Sequence, residues 1–85
     1  MSLTVHITVR YFASLREAMG TSNEKLETQA ATVGQLRDEL IQRTNGAALA
    51  RGRAVRMALN QVLCEESAAL SAGCEVAFFP PVTGG

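Results

Sequence analysis

The run Glu75-Val-Ala-Phe-Phe-Pro-Pro-Val-Thr-Gly-Gly85 limits the fold more than any other stretch of the chain. Val76 to Phe79 is apolar and suited to a buried or half-buried strand. Pro80 and Pro81 end that strand: neither has an N–H to give to a ladder and both fix φ, so the chain is expected to leave the domain extended. Val82 and Thr83 continue outward. Gly84 and Gly85 lack a Cβ, and backbone without side chains can enter a channel closed to other residues. Residues 1–81 are therefore expected to form the folded domain and 82–85 a flexible tail that ends at the α-carboxylate of Gly85. Two readings of such an end compete, a frayed terminus and a terminus delivered into a partner. A frayed end has no need of the rigid exit Phe78-Phe79-Pro80-Pro81, which favours delivery.

Eighty-five residues suffice for one domain with a core but not for a deep private cavity beside it. The apolar fraction of 47% excludes a disordered chain, and with 5% aromatic residues the core must be built mostly from Val, Leu, Ile, Ala and Met. The formal charge is zero, so no global field draws in nucleic acid or an anionic membrane. Charge is unevenly placed, however. All eight basic residues lie at or before Arg56, and only Glu65, Glu66 and Glu75 follow, an acidic bias that would suit a basic partner surface. Cys64 and Cys74 have no metal-ligand spacing, so no metal site is expected. The opening residues alternate and include His6 and Arg10, unlike a signal peptide, and no window is apolar enough to span a bilayer. Free thiols in the cytoplasm are the simplest expectation.

In chain order, Val5, Ile7, Val9 and Tyr11 alternate with polar residues, the period of a strand with one face on a core. His6 then falls on the polar face and receives no role. Phe12, Leu15 and Met19 recur at helical spacing and Gly20 stands where a left-handed cap would end a short helix. Ser22 to Thr28 reads as an edge strand with Leu26 inward. Thr32-Val-Gly-Gln35 has capping-box form, with Gln35 reaching back to the Thr32 amide. Val33, Leu36, Leu40 and Ile41 mark the inner face of the principal helix, Arg37, Asp38, Gln42 and Arg43 the outer, with Asn45 and Gly46 at its end. Ala47 to Arg53 has no clear element. Arg51, Arg53 and Arg56 cluster nearby, and a solvated charged face outweighs a phosphate or RNA site there. Val55, Met57 and Leu59 form a third strand, Asn60-Gln61 a turn, and Val62-Leu63 a short return. Ser67 to Leu70 is indistinct, and Ala72-Gly73 turns into the last strand. A right-handed crossover through the helix could set parallel strands in one mixed sheet.

These elements, with Arg10-Tyr-Phe-Ala-Ser-Leu-Arg-Glu17, Ala58-Leu-Asn-Gln61 and the joined Phe-Phe-Pro-Pro-Val-Thr-Gly-Gly85, resemble the MoaD family, the small sulfur-carrying subunits of molybdopterin synthase. The resemblance implies an α+β, ubiquitin-like β-grasp fold: a mixed sheet packed on one principal helix, with an extended C-terminal Gly-Gly tail. It implies that an E1-like adenylating enzyme using ATP-Mg converts the Gly85 carboxylate to an acyl-adenylate, and that a sulfur donor then yields a thiocarboxylate. That sulfur attacks a cyclic pyranopterin inside the large synthase subunit, in an expected heterotetramer. By the same resemblance Val82, Thr83 and Gly84 thread into the partner, and Phe12, Leu63, Phe79, Pro80 and Pro81 form the partner interface, with Phe78 inside. Catalytic side chains are expected in the large subunit, and no cofactor is expected on this chain.

Three rivals share parts of this pattern. A ubiquitin-like modifier would form isopeptide bonds through Gly85, with Lys25 as the single lysine for self-linkage. A carrier for thiamine or tRNA thiolation would use the same activated end, and a passive interaction domain would not use its tail. Sulfur carriage on a cysteine persulfide is a further possibility. It is disfavoured because Glu65, Glu66 and Glu75 beside Cys64 and Cys74 oppose a lowered thiol pKa.

Overall fold

A computed structural model describes residues 4–42, 49 and 54–81. Strand β1 (Val5–Tyr11) leads to helix α1 (Ser14–Met19), strand β2 (Asn23–Thr28) and helix α2 (Val33–Ile41), followed by β3 (Arg56–Leu59), β4 (Val62–Cys64) and β5 (Glu75–Phe79). The strands form one mixed sheet in the order β2-β1-β5-β3-β4. β5, the last strand made, is thus the middle one, parallel to β1 and antiparallel to β3. The strands that flank α2 in sequence, β2 and β3, run the same way but are not neighbours. The parallel neighbours are instead β1 and β5.

Alternation sorts the side chains as expected. Ile7, Val9 and Tyr11 of β1 and Val76 and Phe78 of β5 face α2, where Val33, Leu36 and Leu40 close the core. Phe78 is fully buried, and burying such a side chain contributes roughly 1.5–3 kcal/mol. Its ring lies nearly parallel to that of Tyr11, with centroids 6.3 Å apart, and the Tyr11 hydroxyl donates to the Glu24 carboxylate at 2.9 Å. β2 is an edge strand, with Leu26 half-buried against the core. Thr28 at its end is buried, its hydroxyl bonded to the Glu39 carboxylate on α2.

Turn chemistry also follows the sequence. Gly20 ends α1 in the left-handed region and donates to the Arg16 carbonyl. Asn60 and Gln61 both take positive φ, 50° and 70°, the conformation that suits a two-residue hairpin between right-twisted strands. Gly73, at φ 79°, turns the chain into β5.

Four details differ from the sequence reading. Phe12 is not on the α1 stripe: the helix begins two residues later, and Phe12 lies on the opposite side of the sheet from the core, 41% exposed. Gln35 accepts not from Thr32 but from the amide of Ala31, at 2.7 Å, while Thr32 Oγ1 accepts from the Gln35 amide as expected. Arg37 is not outward; it is only 5% exposed. Its Nε donates to the carbonyl of the buried Leu49 at 2.7 Å, and a guanidinium nitrogen lies 3.7 Å from Glu66. A planar cation with five donors can be buried where a carbonyl and a carboxylate meet it. Finally, α2 ends at Ile41; the expected stop at Asn45-Gly46 lies outside the described residues.

The stretch from Glu65 to Leu70, whose part from Ser67 onward is indistinct in sequence, caps α2. The amides of Val33 and Gly34, which have no partner within the helix, donate to the carbonyls of Ala68 and Glu66, both at 2.9 Å. This brings backbone against backbone at Gly34, where a Cβ would stand 2.9 Å from Glu66 Cβ and 3.2 Å from its carbonyl oxygen. Ala13, by contrast, adopts φ 54° and ψ −130° at the start of α1, a conformation that favours glycine. Gly34→Ala is therefore expected to lower stability by about 1–3 kcal/mol, although helix propensity alone predicts a gain. Ala13→Gly is expected to raise stability by about 1 kcal/mol. Urea denaturation of the two variants checks both signs.

Candidate functional site

The sheet face turned away from α2 carries the side chains that the resemblance singled out. Hydrogen bonding of the Phe12 amide to the Phe78 carbonyl, at 3.1 Å, continues the β1–β5 ladder and brings Phe12 alongside Phe79. Phe79 lies directly across from Arg56 in the β3–β5 register. One row further, Arg10, Ala77, Ala58 and Leu63 run across four strands. The methyls of Ala77 and Ala58 are covered by their longer neighbours, whereas Leu63 is 64% exposed. Phe79, Pro80 and Pro81 are half-buried. The fold thus brings Phe12, Leu63, Phe79, Pro80 and Pro81 from three separate parts of the chain to one face and its exit edge.

Opposite parity of Phe78 and Phe79 explains how one strand serves both sides. Phe78 anchors the strand in the core, and Phe79 is left for the open face. The backbone at this exit is held on both flanks, by the β1 and β3 ladders. Its start is held too, since the Asn60 amide donates to the Glu75 carbonyl at 2.7 Å and the Glu75 amide to Asn60 Oδ1 at 2.9 Å. Val82, Thr83, Gly84 and Gly85 lie outside the described residues, as do Arg51 and Arg53 of the arginine cluster. Of that cluster Arg56 alone is described, exposed beside Phe79.

Folding pairs two of the three carboxylates of the C-terminal segment, while Glu65 stays exposed. Glu75 meets Arg10 at 3.4 Å and Glu66 meets Arg37 at 3.7 Å. His6 lies on the polar face as expected, 3.4 Å from Glu27 and well exposed.

Neither cysteine has the surroundings of a nucleophile. Both are free thiols, Cys74 in the core and Cys64 half-buried on β4. Burial pushes the Cys64 thiol above its ordinary value, so little thiolate forms at neutral pH. A shallow recess beside it is lined by Val55, Arg56, Met57, Glu65, Glu66 and Ser67. Among the described residues no three His, Cys, Asp or Glu side chains cluster as metal ligands, and no helix is long and apolar enough to cross a membrane.

A five-stranded mixed sheet that holds one long helix, with its middle strand running out of the domain, defines the class: a ubiquitin-like β-grasp domain. The ThiS family model matches residues 9–85. Two curated relatives, both called molybdopterin synthase sulfur carrier subunit, are similar along their whole length. The Haemophilus influenzae protein is 41% identical over 93% of this chain and 99% of its own, and the Escherichia coli protein 40% identical over the same shares. The chain belongs to the ThiS family and is a homologue of these sulfur carrier subunits.

Solved structures agree. A molybdopterin converting factor subunit 1 from Pyrococcus furiosus, described as putative, superposes with TM-score 0.77 at 28% identity, covering 92% of this chain and 99% of that one. In a complex of subunits 1 and 2 of the Helicobacter pylori molybdopterin-converting factor, the match has TM-score 0.65 at 27% identity, covering 95% and 100%. The H. volcanii small archaeal modifier protein 1 matches with TM-score 0.75 at 26% identity, covering 92% and 99%.

Since neither thiol is placed for sulfur chemistry, Cys64→Ser is expected to keep sulfur loading within about twofold of wild type, an effect below ~0.5 kcal/mol. Cys74 is buried, and a hydroxyl there would lack a partner, so Cys74→Ala is its test, with the same expectation. Loading is read by intact mass after reaction with an activating enzyme.

Proposed function

We propose that this chain is the sulfur carrier of a molybdopterin synthase, and that its reactive group is the α-carboxylate of Gly85. The observation that carries the reading is identity of about 40% to sulfur carrier subunits along nearly the whole chain. A central strand anchored by Phe78 and leading into Phe79-Pro80-Pro81 supports it.

The chemistry follows from what a carboxylate lacks. Its charge is delocalised and oxide is a poor leaving group, so an E1-like partner using ATP-Mg forms the acyl-adenylate and releases pyrophosphate. Attack by a sulfur donor expels AMP and leaves a thiocarboxylate on Gly85. That group is a soft nucleophile, ionised at neutral pH, at the tip of an arm formed by Val82, Thr83 and Gly84. In the large subunit its sulfur attacks the cyclic pyranopterin, and two such transfers build the dithiolene that binds molybdenum. This chain contributes the reagent and its positioning, and the large subunit contributes the catalytic side chains. Residues 1–81 act as the handle and 82–85 as the arm. Phe12, Leu63, Phe79, Pro80 and Pro81 dock against the large subunit in a heterotetramer. Work of this kind with ATP and free thiols belongs in the cytoplasm.

The likeness to an archaeal modifier protein favours one second reading, conjugation of Gly85 to lysines of other proteins. Denaturant-resistant adducts on target lysines would identify it, whereas a sulfur carrier leaves none.

Incubated with its activating enzyme, ATP-Mg and a sulfur source, the chain is expected to exchange one oxygen for sulfur, mapped by mass spectrometry to its final peptide. An unmodified end, under conditions that load a control carrier, would refute the reading. One alanine added after Gly85, with its removal blocked, is expected to slow cofactor formation by about 10²-fold or more, because the reacting atom is displaced by a residue's length.

A further inference from the structure

Arg10 and Phe12 are two residues apart and share the open face, as do Glu75, Ala77 and Phe79 of β5. Ala77, directly opposite Arg10 in the register, presents only a methyl there. The arginine joins the residues on either side of that row. One guanidinium nitrogen lies 3.4 Å from the Glu75 carboxylate and donates to it, while the guanidinium carbon lies 5.2 Å from the centroid of the Phe12 ring. That ring follows the end of β1 and is exposed. Among the described residues no other ring or cation meets it.

We propose that Arg10 is a positioning residue for docking: tethered by Glu75, its guanidinium holds the Phe12 ring in the orientation that the large subunit meets. The inference rests on the reading that Phe12, Leu63 and Phe79 dock against that subunit. An exposed aromatic side chain that is free to change rotamer must be ordered when a partner closes over it, and that ordering subtracts from affinity. A ring already held by a cation loses less. Arginine suits the task because one planar group can face a ring and bond a carboxylate at the same time, which the point charge of a lysine does less well. Glu75 is an apt anchor, since its backbone is fixed at the start of β5 by both hydrogen bonds with Asn60. Arg10 acts here through Phe12 and not through the partner. The two roles differ in sign at Glu75: loss of the carboxylate loosens a positioning arginine and weakens docking, whereas it would release an arginine that contacts the partner and leave docking unchanged or tighter.

The test is a double-mutant cycle on the affinity of the full chain for its cognate large subunit, measured by titration calorimetry, with circular dichroism to confirm that each variant folds. Arg10→Gln is expected to weaken binding about two- to fivefold, and Glu75→Ala to weaken it in the same direction. Arg10→Lys should recover only part of the loss. In a Phe12→Ala background Arg10→Gln should have no further effect, because its whole contribution passes through the ring. In the free chain, the ring signals of Phe12 in nuclear magnetic resonance spectra are expected to move toward random-coil positions in Arg10→Gln and Glu75→Ala, with those of the buried Phe78 unchanged. If Arg10→Gln weakens binding equally with and without Phe12, or Glu75→Ala tightens it, Arg10 contacts the partner itself and the positioning role is refuted. Unaltered Phe12 signals, or wild-type affinity for Arg10→Gln, refute it as well, and the docking face stands. If Phe12→Ala and Phe79→Ala both bind as wild type does, the docking face itself fails.

Discussion

The structure depends on the insertion of β5 between β1 and β3. An edge strand is held by one ladder, but β5 is held by two, and its inward Phe78 is fully buried against Tyr11 and the helix. The exit at Phe79 therefore leaves from the most constrained line of the domain. A strand at this place also ties the two ends of the fold together. β1 is made first and β5 last, and the sheet is continuous only when both are present, so the core cannot close before nearly the whole chain is available.

The helix is docked by polar contacts as much as by its apolar stripe. Val33, Leu36 and Leu40 fill the core, but the angle of α2 is set where Gly34 lets the 65–70 segment approach and cap the first turn. Arg37 then joins that segment to Leu49 through a buried guanidinium. Removing one partner of such a buried, hydrogen-bonded cation is strongly destabilising, because the group left behind is neither solvated nor paired. The 65–70 segment and Leu49 are in this way tied to α2.

The division of labour in the molecule follows from these constraints. A body whose middle strand is clamped on both sides supplies orientation. The chemistry proposed for Gly85 requires only a nucleophile delivered at a fixed distance from that clamp. In the proposed function the open face would supply recognition, through the rings of Phe12 and Phe79. Because adjacent residues of a strand point to opposite faces, Phe78 serves the core while Phe79 is left for the recognition proposed for the open face.

Much of this was legible in the residues alone. Alternation in Val5–Tyr11, the cap at Gly20, the Asn60-Gln61 turn, the Thr32 cap and the edge character of β2 are local effects of sterics and hydrogen bonding, and the fold keeps each of them. The tail motif was equally plain, and strand parity put Phe78 and Phe79 on opposite faces, although which of them is inside came from the family resemblance. What only the tertiary structure decided are matters of partnership across long sequence separations. These are the central place of β5, the burial of Arg37, the capping of α2 by Glu66 and Ala68, and the neutralisation of Glu75 by Arg10. A side chain's charge can be read from sequence, but whether it remains a free charge depends on which distant residue the fold brings within a few ångströms.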